Sequence, residues 1–306
     1  MKKIFFEPNE DILDPCFDGT FKAMLCKDTP ESRNALQYLL SGFVRRSLEV
    51  VTITANEPTI EDIRDRRIRY DISCKFENGE LANIEMTMHP NRLEPYRIEF
   101  YASKLLVSQE IRGRDKTWQD LKMVYQISFL AEGRLFDDNE FLHHFRYYDE
   151  EKQVAFGGHV MIITVEMEKL EGTLQKSIAQ MSREERWAVF FKYCTDKSKR
   201  SLINQILAHE EGIAMAAQTL LTVSRDEVER ARLLSEYKYE VDHQSDMIHA
   251  RREGRAEGRE MGHEEGREVG RAEERHRFIS IFRSKGMSDQ DIAEVVGCPI
   301  EEISDQ

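Results

Sequence analysis

The stretch Arg69-Tyr-Asp-Ile-Ser-Cys-Lys-Phe-Glu-Asn-Gly-Glu-Leu-Ala-Asn-Ile-Glu-Met-Thr-Met-His89 decides how the rest of the chain is read. Tyr70, Ile72, Cys74 and Phe76 alternate with Asp71, Ser73 and Lys75, the period-2 pattern of a half-buried strand. Asn78-Gly79 is a strong hairpin-turn signal, since both residues tolerate the positive φ of a tight turn. Leu81 to Met88 is the returning strand, with Ile84, Met86 and Met88 on one face and Glu85 and Thr87 on the other. A turn at Asn78-Gly79 sets a register that brings Asp71 near Glu85 and Met86. Two carboxylates held that close repel each other and suit one hard divalent cation. Two acids on neighbouring strands are also a common solvated sheet face, so the flanking chain has to decide.

Outward from the hairpin the order is mixed. Phe17, Phe21 and Leu25 at helical spacing predict a short helix from Asp18 to Cys26, and Pro30-Glu31-Ser32 opens a second with Leu36, Leu39, Leu40 and Phe43 as its apolar stripe. Val50 to Thr54 is a β-branched strand, and Glu57 to Arg69 is a charged connection carrying Arg64, Arg66, Arg67 and Arg69. After the hairpin a helix is predicted from Leu93 to Glu110, with Arg97, Tyr101, Lys104 and Ser108 on its polar face and Ile98, Ala102 and Leu105 inward. Met123 to Leu130 and Val160 to Val165 read as buried strands. The expected fold class is α/β, a mixed sheet flanked by helices.

These residues together resemble the PD-(D/E)XK nuclease fold, and more narrowly a bacterial recombination-promoting nuclease and transposase family. Asp18-Gly-Thr-Phe-Lys22 matches its N-terminal Asp-x-x-Phe-Lys segment, Asp71 its first hairpin acid, Ile84-Glu85-Met86-Thr87 its second strand, and Arg97 with Tyr101 its following helix. The likeness spans roughly residues 11–170. It implies a restriction-endonuclease-like sheet and a site in which Asp71, Glu85 and the Met86 carbonyl bind Mg²⁺ or Mn²⁺. Thr87 stands where the fold usually has Lys and this family often has Gln. Lys104 on the next helix, or Lys75 on the Asp71 strand, is the candidate substitute. Arg97 is placed to contact a phosphate, and Arg67 and Arg69 to pin a DNA backbone. Asp18 either joins the metal site through water or caps the helix beginning at Gly19.

From about residue 172 the pattern is all helical: Leu174 to Met181, Glu184 to Tyr193, Leu202 to Leu207, then a longer helix from Gly212 to Val241. Gly254, Gly258, Gly262, Gly266 and Gly270 then recur every fourth residue, each followed by Arg or His. On a helix they form one stripe, either a bare face open to another backbone or part of a solvated, frayed linker. The tail resumes amphipathic spacing at Ile279, Phe282, Ile292, Val295 and Val296, with Ser288 as N-cap and Gly297 as helix stop. The expected organisation is a nuclease-like domain over 1–170, a helical region over 171–245, a Gly-repeat helix or linker over 246–276, and a small helical C-terminal module over 277–306.

A net charge of −13 argues against coating nucleic acid by bulk electrostatics but leaves room for a local phosphate grip. Five cysteines without metal spacing fit a reducing compartment. The start Lys2-Lys3-Ile4-Phe5-Phe6 runs into acidic residues rather than a signal stretch, and no apolar run suits a bilayer. A cytoplasmic protein without membrane contact is expected. The functional expectation is a metal-dependent DNA endonuclease acting as a homodimer, linked to recombination, mobile elements or phage defence. The alternative is a nuclease-fold DNA-binding or assembly protein that has lost catalysis at Thr87. A protein that organises other proteins through its coiled helices is a third.

Overall fold

The computed structural model describes residues 4–53, 71–109, 111, 117–300 and 303. Helix α1 (Asp18–Leu25) buries Phe21, Met24 and Leu25. Helix α2 (Pro30–Val44) starts where Thr29 accepts a hydrogen bond from Ser32 N–H and Pro30 fixes the first turn, and it buries Leu36, Leu39, Leu40 and Phe43. Strand β1 (Val50–Ile53) precedes the deciding hairpin, formed by β2 (Ile72–Phe76) and β3 (Leu81–Thr87). The hairpin turns where predicted, with Gly79 at φ +84°. Helix α3 (Glu94–Val107) carries the chain to β4 (Val124–Leu130), all seven residues of which are buried. Then come β5 (Leu142–Phe145), the small ribbon β6 (Tyr148–Asp149) and β7 (Val154–Ala155), and β8 (Val160–Glu166).

Six strands form one sheet in the order β1-β2-β3-β4-β8-β5. The centre β3-β4-β8 is parallel, while β1, β2 and β5 run antiparallel to their neighbours. Central parallel strands are covered on both faces, so β4 and β8 read as near-continuous apolar runs. On one face Phe129 of β4 meets Phe43 at 5.0 Å and Phe191 at 5.1 Å between ring centroids, at the middle of the main core. That core is closed by α4 (Arg183–Tyr193), α5 (Arg200–His209) and α6 (Glu211–Arg225). The other face is covered by α3 through a small cluster of Ala102, Leu105, Val124 and Val160. Beside that cluster Asn83, Glu85, Gln126, Ser128 and Thr164 are buried, although the period-2 reading assigned the Glu85 face to polar surroundings.

Several expectations change. Leu174 to Met181 is not a helix but a single 3-10 turn over Thr173–Gln175. Gln180 Oε1 accepts from Ser177 N–H and hydroxyl, which offers the backbone a turn instead of a helix. The helix predicted over 212–241 breaks at Asp226, which is extended and accepts from Glu229 N–H at 2.9 Å to start α7 (Glu227–Ser284). The helix over 93–110 ends earlier, at Val107. The β5 strand and the β6–β7 ribbon were not foreseen.

The chain divides into two compact units, Met1–Tyr237 and Lys238–Gln306. Helices α4 to α6 pack on the sheet within the first unit, so residue 170 marks a change of sequence pattern and not of packing. In the second unit the glycine repeat is helical throughout, and a Cβ added at Gly254, Gly258, Gly262, Gly266 or Gly270 would meet nothing within 4 Å. Helix α8 (Asp289–Val296) is capped by Ser288, closed by Gly297 at φ +71°, and packs Ile292 with Ile279, Cys298 and Ile303.

Candidate active site

The hairpin register places the two acids opposite each other. The pair Ile72↔Ile84 is the last of the β2–β3 ladder, and Asp71 continues it opposite Glu85. Beyond the ladder the side chains take over backbone bonding: Met86 N–H donates to Asp71 Oδ2 at 2.9 Å, and Asp71 N–H donates to Glu85 Oε1 at 3.2 Å. Asn83 Nδ2 donates to the same Glu85 oxygen at 2.9 Å and to Gln126 Oε1 at 2.9 Å. One oxygen of each carboxylate is therefore held. Among the described residues, Asp71 Oδ1 lies 3.6 Å from Lys22 Nζ with the Asp18 carboxylate beside the Asp71 side chain, and Glu85 Oε2 lies 3.9 Å from Arg97 Nη2.

Two helices supply those cations. From α1, Lys22 Nζ lies 2.6 Å from Asp18 Oδ1 and 3.6 Å from Asp71 Oδ1. From α3, Arg97 Nη2 lies 3.9 Å from Glu85 Oε2 and donates to Thr87 Oγ1 at 2.7 Å, while its Nε donates to Glu94 Oε1 at 3.1 Å. Thr87 in turn donates to Glu94 Oε1 at 3.2 Å. Thr87 and the buried Glu94 thus fix the guanidinium, whose far side rests on the Tyr101 ring at 5.5 Å.

Burial raises the Asp71 pKa, and the neighbouring Asp18 carboxylate adds to the rise. Glu85, with a side chain only 4% exposed, is raised by burial first and by Asp71 second. Asn83 and Arg97 pull Glu85 the other way but do not win. Two largely desolvated acids side by side, with the Asp18 carboxylate next to Asp71, favour sharing a hard cation over ionising alone. The Met86 carbonyl is a further oxygen on that edge, since a strand residue points its N–H and C=O the same way. The residues present fit a divalent ion held by Asp71, Glu85 and the Met86 carbonyl.

The other sequence candidates fall in different places. Asp18 does not cap α1: the helix includes it, the N-cap is Phe17, and the Asp18 carboxylate pairs with Lys22. Lys75 is exposed and pairs opposite Leu81, four residues along β2 from Asp71, or about 13 Å at strand rise. Lys104 lies seven residues beyond Arg97 on α3, its ammonium 5.8 Å from the Phe100 ring centroid. Arg64, Arg66, Arg67 and Arg69 lie outside the described residues. Sequence reasoning passed over Lys22, although it quoted the segment containing it, and also Glu94 and Asn83. An acid at the first position of α3 was the available signal for Glu94.

Among the described residues, Asp138, His143 and Glu166 form a separate cluster whose ligand-type atoms lie within 4.8 Å of one another. The partners of His143 come from a loop and from β8. Lys169 Nζ already sits 2.7 Å from both Asp138 Oδ1 and Glu166 Oε2, so an ion pair fills the cluster. An open cleft of about 540 Å³ between α2 and α4 contains Arg45, Arg46 and Arg183, paired respectively with Glu184, Glu80 and Glu210. It shares no residue with the Asp71–Glu85 pair.

Among the described residues no helix is long and apolar enough to cross a membrane. Searches of curated proteins and of solved structures give no match. A family model described as PD-(D/E)XK nuclease family transposase matches residues 15–250, a span holding the sheet, both acids and the helices that supply Lys22 and Arg97. Nucleases of this type generally use divalent metals, and membership suggests nuclease-type activity. The mixed six-stranded sheet flanked by helices is consistent with the restriction-endonuclease-like fold, and on the extent of the family match the chain belongs to the PD-(D/E)XK nuclease family transposases.

Proposed function

We propose that the chain is a Mg²⁺- or Mn²⁺-dependent DNA endonuclease with Asp71, Glu85 and the Met86 carbonyl as the metal-binding set. The observation that carries this reading is the pair of opposed carboxylates, half-buried Asp71 and buried Glu85, flanked by Arg97 and Lys22. A divalent cation held by Asp71, Glu85 and the Met86 carbonyl would supply polarisation of the scissile phosphate and a more acidic attacking water. Arg97, held by Thr87 and Glu94, neutralises charge that builds on the phosphate oxygens. Lys22, bridging Asp18 and Asp71, favours the ionised form of Asp71. Cutting both strands of a duplex calls for two such centres, so the working form is a homodimer in the cytoplasm. Its biological setting is recombination, mobile elements or phage defence. Residues 1–170 supply the catalytic elements, with the helical regions 171–245, 246–276 and 277–306 serving support and assembly.

A second reading has its own observation. Thr87 replaces the usual Lys or Gln, and a hydroxyl is too weak a base to take a proton from water. That favours a catalytically silent nuclease-fold DNA-binding or assembly protein. Nicking of supercoiled plasmid in Mg²⁺, Mn²⁺ or EDTA separates the two. We expect metal-dependent nicking that drops by at least about 10²-fold in Asp71→Ala and Glu85→Ala, beyond what outer-sphere changes cost metal sites. Folded wild-type protein that fails to nick in both Mg²⁺ and Mn²⁺ would leave the silent reading standing. Thr87→Val should lower the rate by roughly 10-fold by releasing Arg97, with Thr87→Ser close to wild type.

A further inference from the structure

The cleft between α3 and the β5–β8 side of the sheet has no part in the chemistry above. It encloses about 320 Å³ and is lined by Ile98 and Ala102 of α3, Ile162 and Thr164 of β8, and the rings of Phe136 and Phe145. That volume sits at the lower end of the roughly 300–1,000 Å³ typical of small-ligand pockets, a size for one ring system rather than a polymer. The walls are aromatic: the Phe136 and Phe145 centroids are 5.2 Å apart, and the His143 ring stacks on Phe145 at 5.6 Å and 15°. Phe145 nonetheless remains 39% exposed, so its ring is available from the cleft. The floor holds a polar anomaly. Thr164 is 1% exposed and its Oγ1 has no hydrogen-bond partner among the described residues. A buried hydroxyl without a partner is unfavourable until a ligand supplies one.

The position of this floor is set by the sheet register. Glu85 of β3 pairs with Ser128 of β4, and Ser128 pairs with Thr164 of β8, all in parallel register and hence on one face. Two strand spacings separate Glu85 from Thr164, about 10 Å. The α3 wall includes Pro95, next to the Glu94 that fixes Arg97, and Arg146 stands at the rim. An aromatic slot with one unsatisfied hydroxyl, about 10 Å from the carboxylates and on their side of the sheet, suits a planar heterocycle attached to the phosphate being cut.

We infer that this cleft receives one unstacked nucleobase of the DNA substrate, from a nucleotide flanking the scissile phosphate. The inference rests on the nuclease reading and deepens it. A base inside a stacked duplex cannot enter such a slot, so the substrate is single-stranded at that nucleotide or has the base turned out. Stacking accepts any base, and a threonine hydroxyl both donates and accepts, so the slot selects an unstacked position rather than a sequence.

The test uses the full chain and single-stranded oligonucleotides whose cut position is first read from product lengths. One abasic site is then walked along the strand, and affinity is measured without divalent metal for wild type, Phe145→Ala and Thr164→Val. Both variants are checked for a thermal transition no lower than that of wild type; Phe145 is partly exposed, and Thr164→Val keeps the side-chain shape while removing an unpartnered hydroxyl. Loss of the base at one position beside the cut should weaken wild-type binding on the order of 10-fold, from lost stacking. Phe145→Ala should weaken binding of the intact strand by a similar factor while no longer distinguishing intact from abasic strand, and Thr164→Val should show a smaller loss of the same kind. Cleavage that proceeds with wild-type binding indifferent to the abasic position overturns the base pocket and leaves the nuclease intact. Equal weakening of intact and abasic strands in Phe145→Ala also overturns it. Plasmid nicking without cleavage of any single strand overturns this inference alone, whereas absence of plasmid nicking with every metal removes the nuclease reading and this inference with it.

Discussion

Asp71 and Glu85 are both held above the ordinary carboxylate range, with burial the first cause for each. A carboxyl whose folded pKa is raised binds its proton more tightly in the folded than in the unfolded chain. Its favourable contribution is complete at low pH and is lost as pH rises from the unfolded value, 4.5 for Glu85, through the higher folded value. In EDTA the first unit should therefore lose thermal stability as pH rises through that window. Glu85→Gln, which cannot ionise, should flatten the trend and raise the melting temperature at the alkaline end by a few degrees, about 1 kcal/mol or more. Mg²⁺ should stabilise the wild type more at high pH than at low, since the ligands must first lose their protons. A melting temperature independent of pH in EDTA, for wild type and Glu85→Gln alike, would show that the two acids ionise freely.

At the scale of elements, identical substitutions should have opposite signs. Gly212 lies in the first turn of α6, where an added Cβ would come 2.3 Å from Tyr38 Cβ of α2. Gly212→Ala must push the two helices apart and should destabilise by about 1–3 kcal/mol, an overpacking cost. Gly262 lies within α7, and its added Cβ would meet nothing within 4 Å. Gly262→Ala should strengthen the helix by roughly 1 kcal/mol, the propensity difference alone. Thermal unfolding of the two variants followed by circular dichroism checks both. A fall in helix stability for Gly262→Ala, accompanied by a lower oligomeric state in light scattering, would mean that a second backbone lies on that stripe.

Across the whole molecule, charge and phosphate grip have to be reconciled. The chain carries −13, and the cations placed at the acidic pair are Lys22 and Arg97. Few phosphates are then neutralised, and each contributes about −0.9 to the slope of log affinity against log salt on duplex DNA. The expected slope is on the order of −2 to −3, measured by fluorescence anisotropy over a salt series. A slope steeper than about −6 would require a wider basic footprint, for which Arg64, Arg66, Arg67 and Arg69 are the available residues.

By itself the sequence determined the hairpin and the pairing of its acids. Alternation and the Asn78-Gly79 turn are local signals, and with a side-chain period of two the register has little freedom once the turn is set. It also determined the buried runs of β4 and β8, the helix start at Pro30, the cap at Ser288 and the stop at Gly297, each written in neighbouring residues. The short strand β5 escaped it because Leu142 to Phe145 has two histidines and no strong alternation; pairing with β8 makes it a strand. Only the tertiary structure decided which charges meet. Lys22 reaches Asp71 from a helix 49 positions earlier in the chain, and Arg97 turns toward Glu85 because Thr87 and Glu94 hold it there. It also decided that the Glu85 face is buried: α3 closes over it, and that burial, invisible to a two-residue period, moves both carboxyl groups out of their ordinary range.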